Sequence, residues 1–302
     1  MSLAAAICLL IPGIPKTSAK DNFTFAPGLD IFTNLEDLLN FFRSDASLLA
    51  RQILKVFKRD CLYVNNAAFK DSSEKPFIVI VGNHRATREA VGITVAQMLG
   101  GKYMTYPAPC LQRFISQMPK GTMLRRAFYF LSNYASAFYV KIQLSLNNPV
   151  VLNGYYFEQL TFSIVNSFPP DGVPPVVSEL YNFPEDLLRP NLVFFVNFSD
   201  QLMFKRVTTR SPAHWKPRTV NLYRLMQSRH PIVIQEASRF PRDTAFSIYN
   251  YILDHLRHRD GKWHHEPPGN KCTVHLSISH LPTTYKYNLY YPPTEVTDVA
   301  VM

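Results

Sequence analysis

The chain lacks the features that mark several familiar protein classes. Its four cysteines, at positions 8, 61, 110 and 272, include no C-x-x-C pair. That argues against a zinc site or a dense disulfide framework and leaves reduced thiols in an intracellular protein as the expectation. No segment approaches the roughly 20 apolar residues that a membrane helix needs. The apolar start, "MSLAAAICLLIPGIP", has about the length of a signal-peptide core but no basic residue ahead of it. An uncleaved strand or a weak organelle address is therefore preferred to secretion, and the expected location is cytoplasmic or mitochondrial. The sequon-like Asn22-Phe23-Thr24 and Asn197-Phe198-Ser199 have no meaning without secretion. No internal repeat, low-complexity tract or recognisable nucleic-acid module is present.

What is present is a globular composition: 302 residues, 47% of them hydrophobic, enough for one sizeable core with extensions. Lys and Arg number 32 against 22 Asp and Glu, a net charge of +10 that suits an anionic partner without choosing its kind. Residues 1–74 read as a helical extension, in which Leu38, Leu39, Phe42, Leu48, Leu49, Ile53, Leu54 and Phe57 recur near helical spacing. Residues 75–259 read as the main domain, in which from Phe77 onward short β-rich runs alternate with helical stretches: "FIVIVG", a helix over 88–99, "KYMTYP", helices across 110–140, "PVVLN", a helix near 156–167, "NLVFFVNF", helices across 200–229, "PIVIQEA" and a helix over 243–258. Strands apolar on both faces imply a parallel sheet covered on each side, an α/β doubly wound domain of five strands. A long helix around 122–141 carries an apolar stripe through Leu124, Ala127, Phe128, Leu131, Tyr134, Ala135 and Phe138. Residues 260–302 are proline-broken and tyrosine-rich and read as an appendage. Its His264, His265, Glu266, Cys272 and His275 lack metal-ligand spacing, so no metal site is assigned.

The first strand leads into "GNHRATRE", residues 82–89. A phosphate loop G-x-x-x-x-G-K-[ST] works through backbone N–H groups and a helix N-terminus, with a lysine as point charge and a hydroxyl on magnesium. Only Gly82 of that pattern is kept. Thr87 replaces the second glycine and is β-branched; Arg88 replaces the compact lysine; Glu89 stands where the hydroxyl belongs. A carboxylate in the first helical turn would compete with a triphosphate for the partial positive charge there, or would ligate magnesium instead.

Three later stretches resemble the thymidylate kinase family, nearest to its mitochondrial UMP-CMP kinase branch: "TMLRRAFYFLSNY" at 122–134, "NPVVLNGYY" at 148–156 and "LYNFPEDLLRPNLVFFVNFSDQLMFKRVTTR" at 180–210. The resemblance covers roughly residues 77–255 and implies a P-loop-type, three-layer parallel sheet with helices on both faces. It implies a cofactor site, for ATP with Mg2+, at Gly82, Asn83, His84, Arg85, Ala86, Thr87, Arg88 and Glu89, with Arg206 and Arg210 from the lid. It implies a nucleoside monophosphate pocket at Arg125, Arg126, Phe128, Tyr129, Asn153 and Tyr155, and a homodimer through the long helix. Lys216, Arg218 and Arg224 continue a basic lid. The family's D-R-[YFH] motif reads Asn153-Gly154-Tyr155 here, so both of its charges are gone.

Phosphoryl transfer depends on positioning and charge neutralisation, and several contributors have changed together. The expectation is a nucleoside monophosphate kinase fold that is catalytically impaired, a pseudokinase serving as a binding or interaction module. The alternative is an active ATP-dependent kinase of dTMP, UMP or CMP, serving nucleotide biosynthesis with Arg85, Arg88 and Arg206 in catalytic roles.

Overall fold

The run "FIVIVG" forms the central strand β1 (Phe77–Gly82), and its alternation divides the protein into layers. Phe77, Val79 and Val81 enter one hydrophobic core while Ile78 and Ile80 enter another on the opposite face, as the two-residue period of a strand requires. The computed structural model describes residues 31–62, 75–169, 172–199 and 215–260. The helices and strands follow in the order α1 (Leu35–Ser44), α2 (Leu48–Val56), β1, α3 (Arg85–Met98), β2 (Lys102–Thr105), α4 (Met123–Ser145), β3 (Val150–Asn153), α5 (Tyr156–Ser167), β4 (Leu192–Asn197), α6 (Trp215–Met226), β5 (Ile232–Glu236) and α7 (Pro241–Asp260).

All pairings are parallel and the strand order is β2-β3-β1-β4-β5, a P-loop-type doubly wound sheet. Residues of α3 and α7 cover one face, with Val91, Val95, Ile248 and Ile252 against Ile80, Phe194 and Val196. Residues of α4, α5 and α6 cover the other, around Val79, Leu152, Val193 and Phe195. Each of these fully buried side chains contributes roughly 1.5–3 kcal/mol of transfer free energy.

The N-terminal helices share the second core with the sheet. Asn34 caps α1 by accepting from the Asp37 N–H at 2.8 Å, and Ser47 caps α2. Asp186 joins α1 to α4, accepting from the Leu35 N–H at 2.6 Å and from the Tyr134 hydroxyl at 2.8 Å. A single π-helical turn, Phe57–Cys61, ends in a disulfide between Cys61 and Cys110, whose Cα atoms lie 5.7 Å apart. This corrects the expectation of reduced thiols: 49 residues of separation hid a pair that folding brings together.

The stripe expected on the long helix is core, but the burial goes further. Phe130, Ser132, Asn133, Ser136 and Ala137 are buried as well, so the middle of α4 is enclosed on every side. Helix α1 and the π-helical turn Phe57–Cys61 pack against α4. Among the described residues no helix is long and apolar enough to cross a membrane.

Candidate functional site

In an open parallel sheet the ligand crevice lies beyond the carboxyl ends of the strands, where neighbouring connections leave in opposite directions. Here that point lies between β1, which leads away toward β2, and β4, which leads toward β5. The residues meeting there are Gly82 to Arg88, Asn153 to Glu158 and Asn197 to Ser199.

The connection from β1 to α3 is two residues long, Asn83 and His84. The helix expected from residue 88 begins at Arg85, so residues 85–89 of the supposed phosphate loop are already helical. His84 is the N-cap: its Nδ1 accepts from the Thr87 N–H at 3.3 Å and lies 2.7 Å from the Thr87 hydroxyl. The Arg88 N–H donates to the His84 carbonyl at 3.1 Å. Two of the donors at this helix end, the Thr87 and Arg88 N–H groups, are thus spent inside the chain. Glu89 falls beyond the first turn, which holds no acidic residue, so the expected competition between Glu89 and a triphosphate for the helix end does not arise. The end is closed by His84.

Asn83 closes the crevice from the other side. Its Nδ2 donates to Asn197 Oδ1 at 2.9 Å and to the Phe198 carbonyl at 3.3 Å, and its Oδ1 accepts from the Phe198 N–H at 2.7 Å. Asn197 in turn donates to both oxygens of Glu236 at 2.9 Å. The His84 ring stacks on Phe198, centroids 4.6 Å apart. Side chains thus lace together the ends of β1, β4 and β5. Gly82 is required by packing: a Cβ there would lie 2.5 Å from the Val196 carbonyl oxygen.

Arg88 turns inward to a partner that the sequence reading missed. Its Nη1 donates to Glu158 Oε1 at 2.5 Å, with the two side chains 15% and 32% exposed. Burial works against the Arg88 charge, and the Glu158 carboxylate more than restores it, holding the pKa above the ordinary arginine value. Glu158 lies over Gly154, whose φ is +91° and whose Cβ, if present, would stand 2.5 Å from Glu158 Oε2. A glycine is needed there on both counts. The carboxylate occupies, on Arg88, the place a bound anion would take. One signal was available: Glu158 is the one charged residue in "YFEQLTFSIVNS", and a charge in a largely buried helix calls for a partner.

The remaining predicted residues scatter. Arg85 and Ala86 are exposed and Thr87 is buried. Asn153 donates to the Tyr103 hydroxyl at 2.7 Å. Phe128 and Tyr155 are fully buried and have no face left for a base, so both are core residues and not stacking partners; the Tyr155 hydroxyl donates to the Leu188 carbonyl at 2.9 Å. Arg125 donates to the Ile115 and Met118 carbonyls at 3.1 and 2.9 Å and lies over the Tyr129 ring. It pins the 3-10 segment Pro109–Gln117 to α4. Arg126 is half-buried in the first turn of α4. Arg218 donates to the Val165 and Phe168 carbonyls at 3.1 and 2.6 Å, tying α6 to the end of α5. Arg206 and Arg210 lie outside the described residues, as do the side chain of Lys216 and the 261–302 segment with its histidines.

Two cavities adjoin the crevice. A polar one of about 250 Å3 lies between Asn83, Asn197, Asn221 and Arg224. A more apolar one of about 340 Å3 lies between α5 and α6 above Val81 and Phe195. The residues present do not fit ATP with magnesium in the manner of a phosphate loop: the helix end is capped by His84, and Arg88 is paired with Glu158.

No protein-family model matches the chain, and no curated protein matches it. Among solved structures it is similar to thymidylate kinase from Candida albicans, at 11% identity and a TM-score of 0.44 over 61% of this chain and 94% of that one. It is also similar to a sugar kinase from a Janibacter species, at 10% identity and a TM-score of 0.34 over 59% and 95%. A gluconokinase from Sinorhizobium meliloti matches at 15% identity and a TM-score of 0.33 over 63% and 99%. The fold stands on the strand order, not on these likenesses.

Proposed function

We propose that this chain keeps the architecture of a nucleoside monophosphate kinase without its phosphoryl-transfer activity and serves as a binding or interaction module. The observation that carries this is the Arg88–Glu158 ion pair behind a helix end capped by His84. Phosphoryl transfer needs donors aimed at the charge that develops on the phosphate. In this chain the Thr87 and Arg88 N–H groups and the Arg88 guanidinium face internal acceptors, and Gly154 stands at the position of the arginine in the family's D-R-[YFH] motif. ATP and Mg2+, the cofactors of an active member, accordingly have no role in this reading.

The test uses the full chain with magnesium, ATP and each of dTMP, UMP and CMP. The expected result is no diphosphate product and no rise in unfolding temperature with any of them, since a ligand that binds the native state must stabilise it. Turnover that Arg88→Ala abolishes would establish the active kinase instead.

A further inference from the structure

The cavity between α5 and α6 is about 340 Å3, within the roughly 300–1,000 Å3 of small-molecule sites. Val81 and Phe195 floor it, and Phe162, Val165 and Tyr223 line its sides. Phe162 is 57% exposed, a large aromatic surface left at the rim. Tyr223 packs on Phe195 with centroids 4.3 Å apart, and burial together with the Glu158 charge raises its phenol pKa, which keeps it neutral.

Glu158 is the one charged residue lining this cavity among the described residues. Its Oε1 is engaged by Arg88, while Oε2 has no hydrogen-bond partner among them. The cavity therefore offers mostly apolar walls, with Thr161, Asn166 and Thr219 among them and the Glu158 carboxylate as its charged acceptor. The cation that answers it, Arg88, is already paired with Oε1 and is not among the lining residues, so a phosphate or carboxylate would find no free positive charge on these walls. An apolar ring with a donor group would bury its surface and satisfy Oε2.

We propose that this cavity is a binding site for a small aromatic molecule whose hydroxyl or amine donates a hydrogen bond to Glu158, and that it rejects anionic analogues. This rests on the reading of the neighbouring crevice as one that no longer takes phosphate.

Three indoles with a common ring and different heads test it on the full chain: tryptophol, tryptamine and indole-3-acetate, followed by thermal shift and by amide chemical-shift titration. Tryptophol and tryptamine are expected to raise the unfolding temperature with concentration and to shift amides of α5 and α6. Indole-3-acetate is expected to do neither. Val165→Trp, which fills the cavity, should abolish both responses. Glu158→Gln keeps an acceptor oxygen but removes the charge, and should lower the tryptamine-to-tryptophol affinity ratio about tenfold.

Equal binding of all three indoles, binding of none, or an unchanged ratio in Glu158→Gln overturns the site. The ratio decides even if Val165→Trp fails to fold. Stabilisation by magnesium and ATP in a parallel arm would defeat the reading of the crevice. Silence of the indoles with ATP also silent defeats the cavity site alone.

Discussion

Replacing Glu158 with leucine strands the Arg88 guanidinium, which is 15% exposed and whose Nε already lacks an acceptor. At about 4 Å and an effective dielectric near 20 a charge pair is worth roughly 4 kcal/mol, and removing one partner of a buried pair costs about 3–5 kcal/mol. Glu158 is the more exposed partner, at 32%, and admits water. Glu158→Leu is therefore expected near the lower end, about 3 kcal/mol, and Arg88→Met at about 1–2 kcal/mol, because the carboxylate left behind can hydrate. The double variant should recover to within about 1 kcal/mol of the parent, since an apolar replacement of a buried pair is often neutral. Urea unfolding of the four proteins measures the cycle, with an expected coupling of about 3–5 kcal/mol. Additivity within about 0.5 kcal/mol would refute the claim that each charge is present to satisfy the other. If Arg88 instead served a nucleotide, Arg88→Met would abolish a stabilisation by ATP that the parent showed; the parent is expected to show none.

Other outcomes follow from the same contacts. Reducing Cys61–Cys110, or replacing both with serine, opens a 49-residue separation and is expected to cost about 4 kcal/mol by loop entropy; non-reducing peptide mapping with thermal unfolding checks it, and free thiols at both positions in the native protein would refute the pairing. His230 is buried against the Tyr181 carbonyl at 2.6 Å, and burial, with Arg189 and Arg229 adding to it, lowers its pKa below the ordinary 6.5. The unfolded chain binds the extra proton first, so stability should fall as pH drops below about 6.5 and level off once pH passes below the folded-state pKa; His230→Gln should flatten that slope in urea titrations at pH 5 to 8. Glu89→Ser is expected to leave ATP binding absent, because Glu89 is beyond the first turn; a gain in affinity would restore the idea of a self-occupied loop. His84→Ala should cost about 1 kcal/mol through the lost cap, read by thermal unfolding.

Much of the architecture was legible because it rests on local pattern. "FIVIVG" and "NLVFFVNF" are apolar on both faces, and only a sheet covered on both sides accommodates that. The strands lie where those runs lie, and the long helix follows its stripe to within a few residues at its C-terminus. What stayed hidden depends on contacts between distant segments. Cys61 and Cys110 meet because the turn after α2 packs on the 3-10 segment, a juxtaposition that no spacing announces. Tyr155 and Phe128 were assigned to a pocket by resemblance, whereas their burial depends on how Phe77 and Phe183 pack around the former and Tyr129 against the latter. The start of α3 was misjudged for a local reason: histidine is an uncommon N-cap beside Ser, Thr, Asp and Asn, so "NHRAT" read as loop.

That misjudged boundary separates a fold from a function. A phosphate loop needs backbone that arches around its ligand, and four residues between its glycines provide the arch. Beginning α3 at Arg85 leaves two residues, enough to join a strand to a helix and no more. Without such an arch, the arginine at position 88 lies within α3 and turns inward. Its charge must be answered inside the protein, and Glu158 answers it across Gly154. The cap, the ion pair and the glycine at 154 are thus coupled: the carboxyl edge of the sheet answers its arginine internally and leaves a carboxylate beside the crevice.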